Sequence, residues 1–197
     1  RSDAGEQGAY ALLRILTPLI KFRACRDARV VAGDAMEVRG GCGYIEEWPD
    51  PRILRDAHLG SIWEGTSNII ALDVRRAARR ENALTALRAH VTALLAEAPS
   101  LADAAESLGR ACAPMDTAQA EGGEVLARQA ASALYHVTSA AAMAWEAGRL
   151  HDPQRLALAR MVLQHRGLPR DPLRGDAGDV EAAAGLLPDP ATSLSGR

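Results

Sequence analysis

Three short stretches between Glu37 and Arg76 hold residue types that can do chemistry. The first is Glu37-Val38-Arg39-Gly40-Gly41-Cys42-Gly43-Tyr44. Glycines there let a backbone approach a ligand and expose N–H groups to a phosphate. A helix end followed by a turn explains the same residues without a ligand, and no Gly-Lys-Ser/Thr follows to make a P-loop. The second is Trp63-Glu64-Gly65-Thr66. A carboxylate between a tryptophan and a glycine on an apolar connection can be desolvated, which raises its pKa and makes it a usable general base. A solvated loop glutamate is the plainer explanation. The third is Arg75-Arg76 with Arg79-Arg80 one turn on, a basic face able to hold a phosphate-bearing ligand or simply to face solvent.

Other chemistries lack their residues. Cys25, Cys42 and Cys112 are odd in number and scattered, so neither a disulfide framework nor a zinc site is expected, and a reducing cytoplasm fits. His58, His90, His136, His151 and His165 are dispersed; none pairs locally with Cys or Asp at metal or nucleophile spacing, and no metal is expected. No apolar run is long enough to span a bilayer, and no signal sequence is seen. The formal net charge of −2 gives no global pull toward nucleic acid. The chain opens on Arg1 and runs directly into a helical pattern, as an excerpted chain does.

Positioning these stretches falls to helices. Aromatics are only 4 % of the 197 residues and alanine is abundant, which favours closely packed helices over a sheet. Apolar residues crowd from Glu6 to Leu16, and Thr17-Pro18 reads as an N-cap and first position of a second helix. Ile20, Ala24, Ala28, Val31, Ala35 and Val38 then mark one face of that helix. Asp50 before Pro51 reads as the cap of a short helix burying Ile53, Leu54 and Ala57. Thr66 or Ser67 caps the next, with Ile69, Leu72 and Arg76 on one face. Helical spacing returns at Leu84, Leu87, Val91 and Leu94, at Leu101, Ala104 and Leu108, and from Glu124 to Gly148. Asp152-Pro153 caps a last helix. Residues 169–197 are rich in Pro, Gly, Ser and Asp without a period, and a disordered tail is expected. The expectation is all-α, divided into residues 1–82, a helical extension over 83–168, and the tail.

Taken in order, Ala35-Met36-Glu37-Val38-Arg39-Gly40-Gly41-Cys42-Gly43-Tyr44-Ile45-Glu46-Glu47, then Ile53-Leu54-Arg55-Asp56-Ala57, then Ile62-Trp63-Glu64-Gly65-Thr66-Ser67-Asn68-Ile69 resemble the C-terminal helical domain of the acyl-CoA dehydrogenase family. Thr17-Pro18, Lys21-Phe22, Trp63 and Ala71-Leu72-Asp73-Val74-Arg75 resemble its AidB-like branch most. The resemblance is strong from Thr17 to Ala77. It implies a helical bundle with an extra C-terminal helical extension.

It also implies α,β-dehydrogenation of an acyl-CoA thioester. Glu64 matches the base that takes the α-proton, while FAD takes the β-hydrogen as hydride. Glu37, Arg39, Gly40 and Gly41 match a segment that reaches the FAD of a neighbouring subunit, so a homo-oligomer, dimer or tetramer, is implied. Thr66 and Asn68 match flavin-contacting positions, and Gly65 and Arg76 match positions beside the acyl-CoA. Glu37 and Asn68 stand where many members carry glutamine, and Arg39 where an apolar residue is commoner. The family's N-terminal helical and central β domains have no counterpart in this sequence, so an inactive fragment or one part of a split enzyme is expected.

The AidB-like branch also implies duplex DNA binding that protects against alkylation. From Thr85 to Arg197 there are 10 arginines, no lysine and 13 acidic residues, a balance that opposes the counterion release DNA binding needs; only the Arg75–Arg80 face suits it. A catalytically silent helical subunit is the third reading.

Overall fold

The longest element, α1 (Ser2–Val38), carries the first part of the chain. It is followed by α2 (Gly41–Tyr44), α3 (Asp50–Leu59), α4 (Ser67–Arg80), α5 (Ala83–Ala96), α6 (Asp103–Ala118), α7 (Ala127–Leu150) and α8 (Pro153–Val162). The structure is a computed structural model that describes residues 2–98, 101, 103–167 and 184–186. Among these there is no strand, as the composition predicts. The tail expected over residues 169–197 lies outside the described residues apart from 184–186.

Thr17-Pro18 does not begin a new helix. The helix runs through Pro18 unbroken. Proline inside a helix removes one N–H and crowds the carbonyl four residues back, at about 3 kcal/mol. The flanking Ile15, Leu19 and Phe22 are almost fully buried, and each such side chain contributes about 1.5–3 kcal/mol. Three of them outweigh the proline. Thr17 turns its hydroxyl inward along the helix instead of capping it, donating to the Leu13 carbonyl at 2.9 Å.

The buried faces differ from the expected ones as well. On α1 the core face is Ala11, Ile15, Leu19 and Phe22, while Ile20, Val31 and Val38 are exposed. On α4 it is Ala71, Val74, Ala77 and Ala78, while Ile69 is exposed and Arg76 faces solvent. Ile53 of α3 is also exposed. On α4 alanines form most of the contact surface, which lets helix axes approach closely, and Ile69 is left outside. Asp50 does not cap α3 either. It lies in the first turn, with Pro49 at the cap position, and pairs with Arg39 at 3.2 Å.

Contacts divide the chain into two units, Arg1–His90 with Gly109–Tyr135, and Val91–Leu108 with His136–Arg197. Neither is one stretch of sequence, whereas the boundaries expected near residues 82 and 168 are points along the chain. In the second unit Val137, Ala140, Ala141 and Ala144 of α7 are buried. Asp152 caps α8 as the sequence predicts, accepting from the N–H groups of Gln154 at 3.0 Å and Arg155 at 3.1 Å. Trp145 donates through Nε1 to Glu97 at 2.8 Å, and Arg149 stacks on its ring 4.3 Å from the centroid.

In the first unit α3 and α4 pack in succession along α1. Their direction is fixed by polar pairs. Arg39 meets Asp50 at 3.2 Å, Lys21 meets Glu64 at 3.1 Å and Arg14 meets Asp73 at 2.8 Å. Each step back along α1 is matched by a similar step forward through α3 and α4, so the arrangement is antiparallel. The Arg14–Asp73 pair is bidentate, at 3.0 and 2.8 Å, and Arg14 Nε also reaches Glu81 at 3.2 Å. The Arg14 hydrogen bond holds the Asp73 carboxyl below its ordinary value against the opposing effect of burial.

Arg75 points the other way, with 17 % of its side chain exposed. It donates to the carbonyl of Ala118 and, at 2.9 Å, to that of Ala120. These are carbonyls at and just past the end of α6, which have no partner within the helix. Arg75 therefore acts as a cap for α6 supplied by α4.

Two stability measurements follow. Arg75→Ala is expected to lose about 2–3 kcal/mol, since hydrogen bonds from a charged donor contribute about 1.5–3 kcal/mol, and Arg79→Ala, at an exposed site, to stay within about 0.5 kcal/mol. Urea midpoints at unchanged slope read both. For Asp73, a depressed folded value means its stabilisation is present above the ordinary value of 3.8 and is lost as pH falls through the lowered one. The native chain is expected to exceed Asp73→Asn in stability at neutral pH, and the gap to close as pH drops below about 4. A gap that stays constant down to pH 2 contradicts the pairing.

Candidate functional site

The segment joining α3 to α4 is a tight turn closed by its own backbone. The Leu59 carbonyl accepts from Ile62 N–H at 2.9 Å and Trp63 N–H at 3.2 Å. Glu64 then adopts φ 54° and Gly65 φ 107°. Left-handed backbone at a glutamate is uncommon and costs on the order of 1–3 kcal/mol unless the surroundings hold it. Gly65 is favoured by its φ, and a Cβ there would crowd Ile70 Cδ1 at 3.2 Å and Ile69 Cγ2 at 3.3 Å, so those side chains would have to shift.

Lys21 holds the turn from α1. Its ammonium donates to the Trp63 carbonyl at 3.0 Å and to Glu64 Oε2 at 3.1 Å. The Lys21 side chain is 20 % exposed and that of Glu64 79 %. In this chain Glu64 is thus the solvated loop glutamate of the plainer sequence reading, and not the desolvated carboxylate. Ile62 and Trp63, at 61 % and 57 % exposed, face solvent and exclude no water from the carboxylate.

Glu64 stands on the rim of a groove of about 310 Å³ between α1 and the start of α4. Leu13, Pro18 and Ile70 give it apolar wall; Arg14, Lys21, Glu64 and Asp73 give it charge. A second hollow of about 580 Å³ is lined by Glu6, Gln7, Tyr10, Ala11 and Glu81, and its Glu81 is already paired with Arg14.

The other expected site residues fall into two groups. Gly65, Thr66 and Asn68 adjoin Glu64, with Thr66 and Asn68 exposed. Thr66 is the N-cap residue of α4, yet its side chain makes no capping hydrogen bond. Its hydroxyl and the first amides of α4 are thus available to a polar ligand, in the positive field of the helix start, which suits a nucleotide-type cofactor such as FAD. Arg76 lies two turns on, held to Asp73 at 3.0 Å. Glu37, Arg39, Gly40 and Gly41 lie at the far end of α1, about 24 Å from Lys21 at 1.5 Å per residue. Gly40 and Gly41 leave open space where a side chain would stand, and Arg39 stacks over Trp48, 5.1 Å from the ring centroid. Gly43 is fixed by crowding: a Cβ there would meet the Met36 carbonyl at 2.2 Å.

Other candidates weaken. Arg75 is committed to α6 and Arg76 to Asp73, which leaves Arg79 and Arg80 as the exposed remainder of the basic face. Cys112 is buried, and burial pushes its thiol up despite an opposing hydrogen bond with Arg88. Among the described residues no group of three His, Cys, Asp or Glu can hold a metal ion, and no helix is long and apolar enough to cross a membrane. Sequence reasoning missed the roles of Lys21, Arg14, Asp73 and Arg75. For Lys21 a signal was present, since it is the sole lysine among 23 basic residues.

Comparison with known proteins finds similar sequences and a similar solved structure. Residues 2–79 match the family profile described as acyl-CoA dehydrogenase, C-terminal domain. Acyl-CoA dehydrogenase family member 11 of Caenorhabditis elegans is 39 % identical over 97 residues, 48 % of this chain and 16 % of that protein. The putative acyl-CoA dehydrogenase AidB of Escherichia coli is 43 % identical over 81 residues, 41 % of this chain and 14 % of that one. The crystal structure of Caenorhabditis elegans ACDH-11 in complex with C11-CoA matches with a TM-score of 0.70 and 26 % identity, covering 94 % of this chain and 34 % of that one. The chain thus spans a small part of the length of these relatives. Over residues 2–79 it is similar to the C-terminal domain of the acyl-CoA dehydrogenase family.

Proposed function

We propose that this chain supplies the C-terminal helical part of a flavin-dependent acyl-CoA dehydrogenase, with Glu64 as the base that removes the α-proton of an acyl-CoA thioester. The observation that carries the reading is the Glu64 turn: a carboxylate in left-handed backbone, held at its base by a cation and open on its other side.

This chain's part in the reaction is proton transfer and positioning. Glu64 Oε2 takes the Lys21 hydrogen bond, and the second oxygen is left to accept a proton. As the α-proton arrives, the carboxylate becomes a neutral acid while Lys21 stays anchored to the Trp63 carbonyl. Placing a base within reach of a defined proton contributes on the order of 10²–10⁴ in rate. Thr66 and Asn68 would hold FAD on this side, and the Glu37–Gly41 segment that of a neighbouring subunit, within a homo-oligomer. Bound FAD supplies the acceptor for the β-hydrogen as hydride. Arg76 and the Gly65 backbone would lie beside the CoA portion.

Water must be excluded for such a base to work well, and this chain leaves Glu64 open. Ile62, Trp63 and Ile69 around it are large apolar residues exposed to solvent, as are Ile20, Val31 and Val38 along α1. Surfaces of that kind are sites of association. In this proposal the rest of the enzyme covers them and dries the site, so the chain alone is inactive.

Glu64→Gln in the flavin-loaded enzyme that contains this chain is expected to retain flavin and acyl-CoA binding and to lose 10²-fold or more of the dehydrogenation rate. An unchanged rate removes Glu64 as the base. Stoichiometric flavin and acyl-CoA turnover by the isolated chain would contradict its inactivity alone.

A further inference from the structure

We propose that Lys21 is the positioning residue of this site: its ammonium, bridging the Trp63 carbonyl and Glu64 Oε2, holds the Glu64 turn in its reactive conformation. The inference rests on the reading of Glu64 as the base.

Both Glu64 and Gly65 have positive φ. Gly65 tolerates this without cost, but Glu64 does not, so some contact must hold the backbone there. Within the turn, the backbone hydrogen bonds stop at Trp63 N–H, and the next one runs from Ile70 N–H to the Thr66 carbonyl. The peptide between Trp63 and Glu64 is fixed from outside, by Lys21 at 3.0 Å. The same nitrogen fixes the carboxylate at 3.1 Å. One group therefore sets both the φ of the base and the direction of its side chain.

The residue type supports the assignment. The chain has 23 lysines and arginines, and Lys21 is the one lysine. Arginine's planar fork suits two oxygens of one carboxylate, as Arg14 shows with Asp73. Here the two acceptors are a carbonyl and a carboxylate on different groups. A compact ammonium with three rotatable donors suits that pair. It also commits only one Glu64 oxygen. The stem is largely covered, at 20 % side-chain exposure, so the ammonium is presented from a held position and not from a mobile surface chain.

The test uses the flavin-loaded enzyme that contains this chain. Lys21→Met keeps the stem and removes the ammonium; Lys21→Ala leaves room for an added amine. Both are expected to lower kcat about 10–100-fold, the scale of a reacting group misplaced by about 1 Å, with KM for acyl-CoA and flavin content nearly unchanged. Propylammonium is expected to restore much of the rate to Lys21→Ala and none to Lys21→Met. In the isolated chain, acetylation of the single lysine side chain is expected to be faster in Glu64→Ala than in the native sequence. An unchanged kcat overturns the proposal. So does a lost kcat that no amine restores, and so does acetylation indifferent to Glu64. If Glu64→Gln keeps the full rate, the base assignment fails first and Lys21 with it; if Glu64→Gln is dead while Lys21→Met is fully active, only the Lys21 role is lost.

Discussion

The antiparallel seating of α3 and α4 on α1 is the constraint on which the site depends. Arg39–Asp50, Lys21–Glu64 and Arg14–Asp73 mark successive points along it. They are not equal in energy. Exposed ion pairs contribute about 0–1 kcal/mol, and the apolar burial of Ile15, Leu19, Phe22, Ala71 and Val74 supplies most of the adhesion. What the pairs supply is register. Small alanine faces slide past one another more easily than interlocked large side chains, and a bidentate arginine tolerates little displacement. Register in turn decides whether the Trp63–Glu64 peptide arrives beside Lys21.

This division of labour explains what could be read from the sequence and what could not. Helix content was legible from alanine abundance and scarce aromatics, and the Asp152 cap from its local pattern, because both are local properties. The core faces of α1 and α4 differ from the expected ones because helical spacing alone fits more than one face: α1 buries Ile15, Leu19 and Phe22 and leaves Ile20 and Val31 outside, and α4 buries alanines and leaves Ile69 outside. Thr17-Pro18 reads as a helix start because the cost of an internal proline is local, whereas the burial that outweighs it is tertiary. Glu64 and the Gly40-Gly41 end were found through family likeness, since on spacing alone a solvated glutamate and a helix cap account for them. Lys21, 43 residues before Glu64, has no local pattern to betray it. Its mark is compositional, a lone lysine in an arginine-using chain.

Exposure of the catalytic candidate is the other feature that shapes the account. A general base in water competes with solvent for the proton it should take, and its field is weakened by the high dielectric. Glu64 is open to solvent, yet its backbone is already in an uncommon conformation and its carboxylate already directed. On the proposed reading, positioning belongs to this chain and drying to whatever covers Ile62, Trp63 and Ile69. That separation fits a chain whose likeness to ACDH-11 covers 34 % of the larger protein.

The central claim is that the carboxylate on this turn faces the α-carbon of an acyl-CoA. The most direct measurement is a structure of the enzyme containing this chain with an unreactive thioether analogue of an acyl-CoA. The account predicts Glu64 Oε1 or Oε2 within about 3.5 Å of the α-carbon, the separation of a near-attack arrangement, with Lys21 on the Trp63 carbonyl. A different carboxylate at the α-carbon, with Glu64 still in solvent, would contradict it.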